Sequence, residues 1–238
     1  MTLPFKHPFT AMVVGPTSCG KTRFIFRLLD NIDAMIEPTP HRIVYCYSEY
    51  QQLFRQYPRV TFHQGLPDMS DFDGREPVLL IVDDLMQETN ETVANLFTKG
   101  SHHRNVSVMF LVQNLFPKNK FARTISLNAH YMILFKNPRD ASQFANLARQ
   151  MYPNNWQFAV EAYKDATQEP YSHLLVDLRP EQDEELRLRT NIFPGDTHYV
   201  YVPKWANAQW SIWPYLNVFD DLARKVKKNM FRNVIKSL

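Results

Sequence analysis

Eight consecutive residues, Gly15-Pro16-Thr17-Ser18-Cys19-Gly20-Lys21-Thr22, satisfy every fixed position of the pattern G-x-x-x-x-G-K-[ST]. Each fixed residue type has a physical task in holding a polyphosphate. Gly15 and Gly20 let the backbone curl until successive N–H groups face phosphate oxygens. Lys21 supplies an ammonium for the β and γ phosphates, and the Thr22 hydroxyl is a hard oxygen ligand for Mg²⁺. Pro16, Thr17, Ser18 and Cys19 complete the cradle, Cys19 through its backbone. An ordinary strand-to-helix turn would account for a glycine, but the chain holds only 6, and two of them fall at the required spacing beside Lys-Thr. The expected ligands are ATP and Mg²⁺. No segment reads as a base-recognition motif, so the choice between ATP and GTP stays open.

Further polar residues stand where such a ligand would be worked on. The run Val78 to Asp84 (VLLIVDD) is apolar until it stops at two carboxylates. Asp83 is expected to hold the Mg²⁺. Asp84 occupies the position of a general base that polarises the attacking water. It is one methylene shorter than the glutamate many NTPases place there, so Glu88 is a second candidate for the base, and a helix N-cap is a plainer role for Asp84. Gln113-Asn114 ends the apolar run Val106 to Val112, and an amide there can hydrogen-bond the lytic water or the γ-phosphate, or simply finish a strand. Arg104, Arg123 and Arg139 lie near strand ends. A guanidinium from a neighbouring subunit stabilises the transition state in many oligomeric NTPases. The sequence does not choose among the three, and Arg104 is carried forward as the arginine-finger candidate. Arg139, within Asn137-Pro138-Arg139-Asp140, has the alternative of pinning a loop through a carboxylate.

Residues so far apart in sequence meet only if strand ends converge. Phe9 to Val14 reads as a strand running into the glycine loop, and Lys21 to Met35 as a helix with Phe24, Ile25, Leu28, Leu29 and Ile32 at helical spacing. Arg42 to Tyr47 is β-rich, Glu49 to Tyr57 a short helix, and Val60 to Phe62 a further strand. Val78 to Asp84, Val106 to Val112 and Tyr131 to Phe135 read as buried strands, with helices over Glu88 to Lys99 and Arg139 to Tyr152. Uninterrupted apolar strands alternating with helices predict an α/β fold around a mainly parallel central sheet, a P-loop NTPase. Trp156 to Ala166 reads as helical, and Ser172 to Asp177 and Leu186 to Phe193 as strands at one sheet edge.

Composition narrows the setting. At 238 residues with 45% hydrophobic composition, the chain suits one α/β domain with a full core. Two cysteines, Cys19 and Cys46, give no disulfide framework, and no secretory leader is evident, so an intracellular, non-secreted protein is expected. The apolar runs fall far short of the roughly 20 residues of a membrane helix. A net charge of +3 is compatible with a polyanionic partner without establishing one. His102 and His103 have no Cys or carboxylate companions at metal-ligand spacing.

The ordered series GPTSCGKT, LLIVDD, SHHRNVSVMFLVQN, ARTISLNAHYMILFKNPRD and YKDATQEPYSHLLVDL resembles the FtsK/HerA-type genome-packaging ATPases of large double-stranded DNA viruses. Within these it is most similar to the poxvirus-like packaging ATPase of Maverick/Polinton elements, over roughly residues 9 to 193. The resemblance implies an additional-strand core of strand order 5-1-4-3-2, a homo-oligomeric ring, and ATP-driven translocation of double-stranded DNA into a capsid assembled in the host nucleus or cytoplasm. It matches Lys21 and Thr22 to the family's phosphate and Mg²⁺ residues, Asp83 and Asp84 to its acidic pair, and Gln113 to its sensor amide.

Residues 1–193 are thus expected to form the ATPase domain. Residues 194–238 read as an aromatic and proline-rich segment followed by a basic amphipathic helix. Phe219, Leu222, Val226, Met230 and Val234 share one side of that helix, and Arg224, Lys225, Lys227, Lys228, Arg232 and Lys236 the other. Such a basic face suits DNA phosphates, a capsid protein, a membrane surface or plain solvent. Two other classes of function share the phosphate loop: a P-loop kinase or phosphotransferase, which needs an acceptor pocket, and a nucleotide-switched scaffold with little turnover.

Overall fold

The computed structural model describes residues 3–83, 85, 91–116, 121–139, 141–203 and 230–235. Two short strands near the N-terminus, β1 (Phe5–Lys6) and, later in the chain, β3 (Ile36–Glu37), pair in parallel. Between them come β2 (Thr10–Val14), α1 (Lys21–Asp30) and α2 (Ile32–Met35). The single helix expected over 21–35 is divided at Asn31. Its backbone leaves helical geometry (φ −121°, ψ 23°), and its side-chain amide donates to the Arg27 carbonyl at 2.9 Å, competing with the helical ladder.

β4 (Arg42–Tyr47), β5 (Val60–Gln64) and β6 (Val78–Asp83) follow, with a 3₁₀ turn over Gln52–Gln56 in place of the expected short helix. Glu91–Asn95 (α3) continues through a π-type turn at Leu96–Gly100 into α4 (Ser101–Arg104), so this helical region extends past Lys99. Then come β7 (Val106–Val112), α5 (Ala122–Leu127), which the sequence reading missed, β8 (Tyr131–Phe135), α6 (Ala141–Met151) and α7 (Trp156–Ala166). β9 (His173–Asp177), β10 (Leu188–Thr190), β11 (His198–Pro203) and β12 (Met230–Ile235) complete the described elements.

Among the described residues, ten strands form one sheet in the order β12-β11-β10-β9-β8-β2-β7-β6-β4-β5. From β8 to β5 all neighbours are parallel; from β8 to β12 all are antiparallel. With β5 set aside, the parallel strands β2, β4, β6, β7 and β8 taken in chain order give 5-1-4-3-2, the order that the resemblance implied.

The apolar runs are continuous because both faces of the parallel strands are covered. Met12, Val14, Leu80, Val82, Val108 and Phe110 meet residues of α3, α5, α6 and α7 in one core. Ala11, Val13, Leu79, Ile81, Met109 and Leu111 meet Phe24, Ile25 and Leu28 of α1 in the other. Neighbouring residues of one strand thus serve opposite layers, each large side chain contributing about 1.5–3 kcal/mol on burial. At the end of β9, the fully buried Asp177 carboxylate accepts from Arg179 at 3.0 and 2.9 Å and from Arg189 at 2.9 Å.

Two further expectations need correction. Leu186 to Phe193 is a strand only over Leu188–Thr190, because a 3₁₀ turn at Glu184–Leu186 precedes it and Asn191, at φ 55°, ends it. The basic helix expected over 219–238 is not helical at 230–235, which pairs antiparallel with β11 from Pro203↔Met230 to His198↔Ile235. The spacing of Met230 and Val234 fits a helix, but aromatic and β-branched residues are dense there, and pairing satisfies the backbone groups along the edge of β11. The remainder of that helix, with Arg224, Lys225, Lys227, Lys228 and Lys236, lies outside the described residues. β11 also carries the sheet past residue 193.

Candidate nucleotide-binding site

The loop leaves β2 at Gly15, whose N–H donates to the Val112 carbonyl at 3.1 Å, extending the β2–β7 ladder by one step. A Cβ on Gly15 would stand 2.5 Å from Cys19 Sγ and 2.8 Å from Phe135 Cβ, so the tight turn excludes any side chain. Ser18 (φ 64°) and Gly20 (φ 110°) then curl the chain through left-handed geometry. Gly20 caps α1 without a side-chain acceptor, and the first helical bond is Phe24 N–H to the Gly20 carbonyl at 2.9 Å. The N–H groups of the opening turn of α1 therefore have no partner within the helix and carry the positive end of its dipole. The Lys21 ammonium lies over the loop, donating to the carbonyls of Gly15 at 2.6 Å and Pro16 at 3.1 Å.

A cleft of about 460 Å³ runs along the C-terminal edge of the parallel strands, where open α/β sheets bind ligands. Thr17, Ser18, Gly20, Lys21 and Thr22 form its floor, and Asp83 and Gln113 stand in its wall. Gly15, Pro16 and Cys19 are not among its lining residues and belong to the frame. The Cys19 thiol is half-buried and its pKa is raised, chiefly by that burial.

Asp83 ends β6 two strands away from β2, and Gln113 follows β7 between them. Strand order is therefore what brings these sequence-distant groups to one cleft. Asp83 Oδ2 accepts a 2.5 Å hydrogen bond from the Tyr45 hydroxyl. Tyr45 sits on the adjacent β4, and its phenol is pushed far above the ordinary range, first by burial and then by the Asp83 charge. It donates to that carboxylate at any physiological pH. The Thr22 hydroxyl and the Asp83 carboxylate are a hard-oxygen set that fits Mg²⁺. Asp84 and Glu88 lie outside the described residues.

Arg104 ends α4 at the opposite, N-terminal end of β7, where its guanidinium donates to the Met69 carbonyl. Arg123 is exposed on α5. Arg139 is exposed in the turn before α6, where its N–H donates to Asn137 Oδ1 at 3.2 Å. Asn137 N–H in turn donates to the Tyr163 hydroxyl, which donates to the Phe135 carbonyl at 2.7 Å. None of the three arginines lines the cleft.

The cleft also contains residues that the sequence reading passed over: Arg23, Tyr47, Ser48, Glu49, Gln51 and Tyr171. Glu49 had a usable signal, since it follows a strand end just as Asp84 does. Tyr45 and Tyr171 had none.

The loop that leaves β2 and the 5-1-4-3-2 order of the parallel strands define a P-loop NTPase fold. No protein-family model and no curated protein matches the chain. Among solved structures it is similar to the genome packaging NTPase B204 from Sulfolobus turreted icosahedral virus 2 in complex with AMPPCP, at 14% identity and TM-score 0.46 over 73% of this chain and 94% of that one. B204 in complex with ATP-gammaS gives 13% identity and TM-score 0.47 over 74% and 95%. A prototypical ATPase from the type III secretion system of pathogenic bacteria gives 9% identity and TM-score 0.34 over 70% of each chain. At these levels the residues of the cleft decide what this chain can do.

Proposed function

We propose that the chain is an ATP-hydrolysing motor that moves double-stranded DNA, packaging a viral or virus-like genome into a capsid. The observation that carries the hydrolytic part is the convergence of Lys21, Thr22, Asp83 and Gln113 on one cleft. The loop amides and Lys21 bind the β and γ phosphates, while Thr22 and Asp83 hold Mg²⁺, which neutralises phosphate charge when bound. Gln113 orients a water toward the γ-phosphate. A carboxylate takes the proton of that water as the new P–O bond forms and the bridging P–O bond to the nucleoside diphosphate breaks. Asp84 is the proposed base from its place after Asp83, with Glu88, four residues on, and Glu49, in the cleft wall, as alternatives. The DNA part is supported by the ordered motifs of the sequence. A homo-oligomeric ring and a capsid partner belong to the same reading.

The test is phosphate release by the purified chain with and without double-stranded DNA, at fixed salt and over a range of protein concentrations. DNA is expected to raise turnover severalfold, and Lys21→Ala to abolish it. Turnover indifferent to DNA would favour a nucleotide-switched scaffold, and transfer of the γ-phosphate to an acceptor other than water would favour a phosphotransferase.

A further inference from the structure

The largest side chain at the cleft's other end has no part in phosphate chemistry. Tyr171 is 55% exposed, and of the large apolar side chains this exposed among the described residues (Tyr50, Leu127 and Tyr171), it alone lines the cleft. Its backbone is left-handed, at φ 63°, a conformation that a bulky residue adopts only when its surroundings impose it. The turn is fixed locally, because Ser172 N–H and its hydroxyl both donate to the Glu169 carbonyl, at 3.2 and 2.6 Å. The Tyr171 ring is pressed to the phosphate loop: a Cβ on Gly20 would lie 3.1 Å from its Cδ1. The Arg23 guanidinium carbon stands 5.3 Å from the ring centroid. A strained backbone thus holds a half-exposed aromatic ring, with a cation over one of its faces, beside the opening turn of α1.

Strand order gives that ring its meaning. Tyr171 precedes β9, and the sheet runs β9-β8-β2-β7-β6-β4, so Tyr171 approaches the loop from the side opposite Asp83 and Glu49. A nucleotide whose γ-phosphate points at Asp83 and Gln113, with its phosphate chain over Lys21 and Thr22, directs its base past Arg23 toward Tyr171.

We infer that Tyr171 is the base platform of the cleft, stacking the purine of a bound nucleoside triphosphate on its exposed ring, with Arg23 holding the ring in place. This deepens the nucleotide reading above and rests on it. Stacking is tolerant of base identity but grows with ring area, so ATP and GTP bind comparably and CTP more weakly.

The experiment measures equilibrium binding of ATP, CTP and inorganic tripolyphosphate, each with Mg²⁺, to the full chain, to Tyr171→Asn and to Tyr171→Trp. Asparagine tolerates the left-handed backbone and so removes the ring without adding strain. Tyr171→Asn is expected to weaken ATP about tenfold, CTP less, and tripolyphosphate not at all. Tyr171→Trp should retain ATP affinity, with indole fluorescence quenched by ATP but not by tripolyphosphate. Equal weakening of ATP and tripolyphosphate would overturn the platform and make Tyr171 a brace for Gly20, and so would an unchanged ATP affinity. If the wild-type chain binds neither ATP nor tripolyphosphate, the nucleotide reading itself falls. If it binds both equally, only the platform falls.

Discussion

Asp83 illustrates how a single site residue depends on one that no motif contains. Its carboxylate ends β6 partly exposed in the cleft wall, and the buried Tyr45 hydroxyl holds one oxygen from the next strand. Removing a hydrogen bond to a metal-binding group from outside its coordination shell typically costs 10- to 100-fold in metal affinity. With Asp83 holding Mg²⁺ as proposed, Tyr45→Phe is expected to raise the Mg²⁺ concentration for half-maximal hydrolysis about tenfold. It should lower stability by only about 1 kcal/mol, because the ring remains packed among Phe26, Phe54 and Phe62. A Mg²⁺ titration of activity, read beside urea unfolding, checks it, and an unchanged requirement would mean that Asp83 needs no such anchor. That the loop and Asp83 would meet in one cleft was legible in sequence, because the loop has a fixed local spacing and Asp83 ends an apolar run. Tyr45 was not, since in RIVYCY it reads as one more strand aromatic, and only the register Tyr45↔Ile81 reveals what it faces.

At the scale of elements, the contact of α1 with β9 carries a pH signature. His173 is buried, its ring 4.8 Å from Phe24, 5.5 Å from Phe135 and 6.2 Å from Phe193, and its Nε2 has no hydrogen-bond partner among the described residues. Burial is the main cause that drives its pKa down to about 4 from 6.5, and the nearby Arg27 charge adds to it. The unfolded chain therefore takes up a proton below pH 6.5 that the folded chain refuses until about pH 4. Stability is full above pH 6.5 and falls as the pH drops through that window, by about 3 kcal/mol at pH 4 from this group. His173→Phe is expected to flatten that part of the stability profile in denaturant unfolding at successive pH values, whereas any packing cost would offset all pH values alike. Equal slopes in the two proteins would remove His173 as the cause. The parallel strands were legible as elements because burial on both faces leaves no polar interruption. The antiparallel extension was less so. β10 is only three residues long, and Met230–Ile235 satisfies a helical spacing as well as a strand composition, so the unpaired edge of β11 decides between them.

For the molecule as a whole, the sheet has two ends with different equipment. The candidate nucleotide cleft occupies the C-terminal edge of the parallel strands, and Arg104 stands before β7 at the N-terminal edge. β7 is seven residues long, so about 23 Å of strand separates Arg104 from the chain's own Gln113. A guanidinium that far from its own cleft can act on hydrolysis only at a neighbour's. In the proposed ring, Arg104→Ala should therefore lower turnover by about 10³-fold while nucleotide affinity is retained. The hydrogen bond to the Met69 carbonyl gives Arg104 a structural role as well, so lost activity by itself would not separate the two. Mixing separates them. A Lys21→Ala subunit is dead at its own cleft but offers Arg104, and an Arg104→Ala subunit has an intact cleft and lacks the finger. Equal mixtures of the two inactive proteins should regain roughly a quarter of wild-type turnover if subunits exchange freely and interfaces act independently. Recovery would require both an assembly and a cleft completed across its interface. No recovery, from variants that unfold at the wild-type temperature and form mixed oligomers, would exclude Arg104 as the finger and leave Arg123 and Arg139 as the residues to test in the same way.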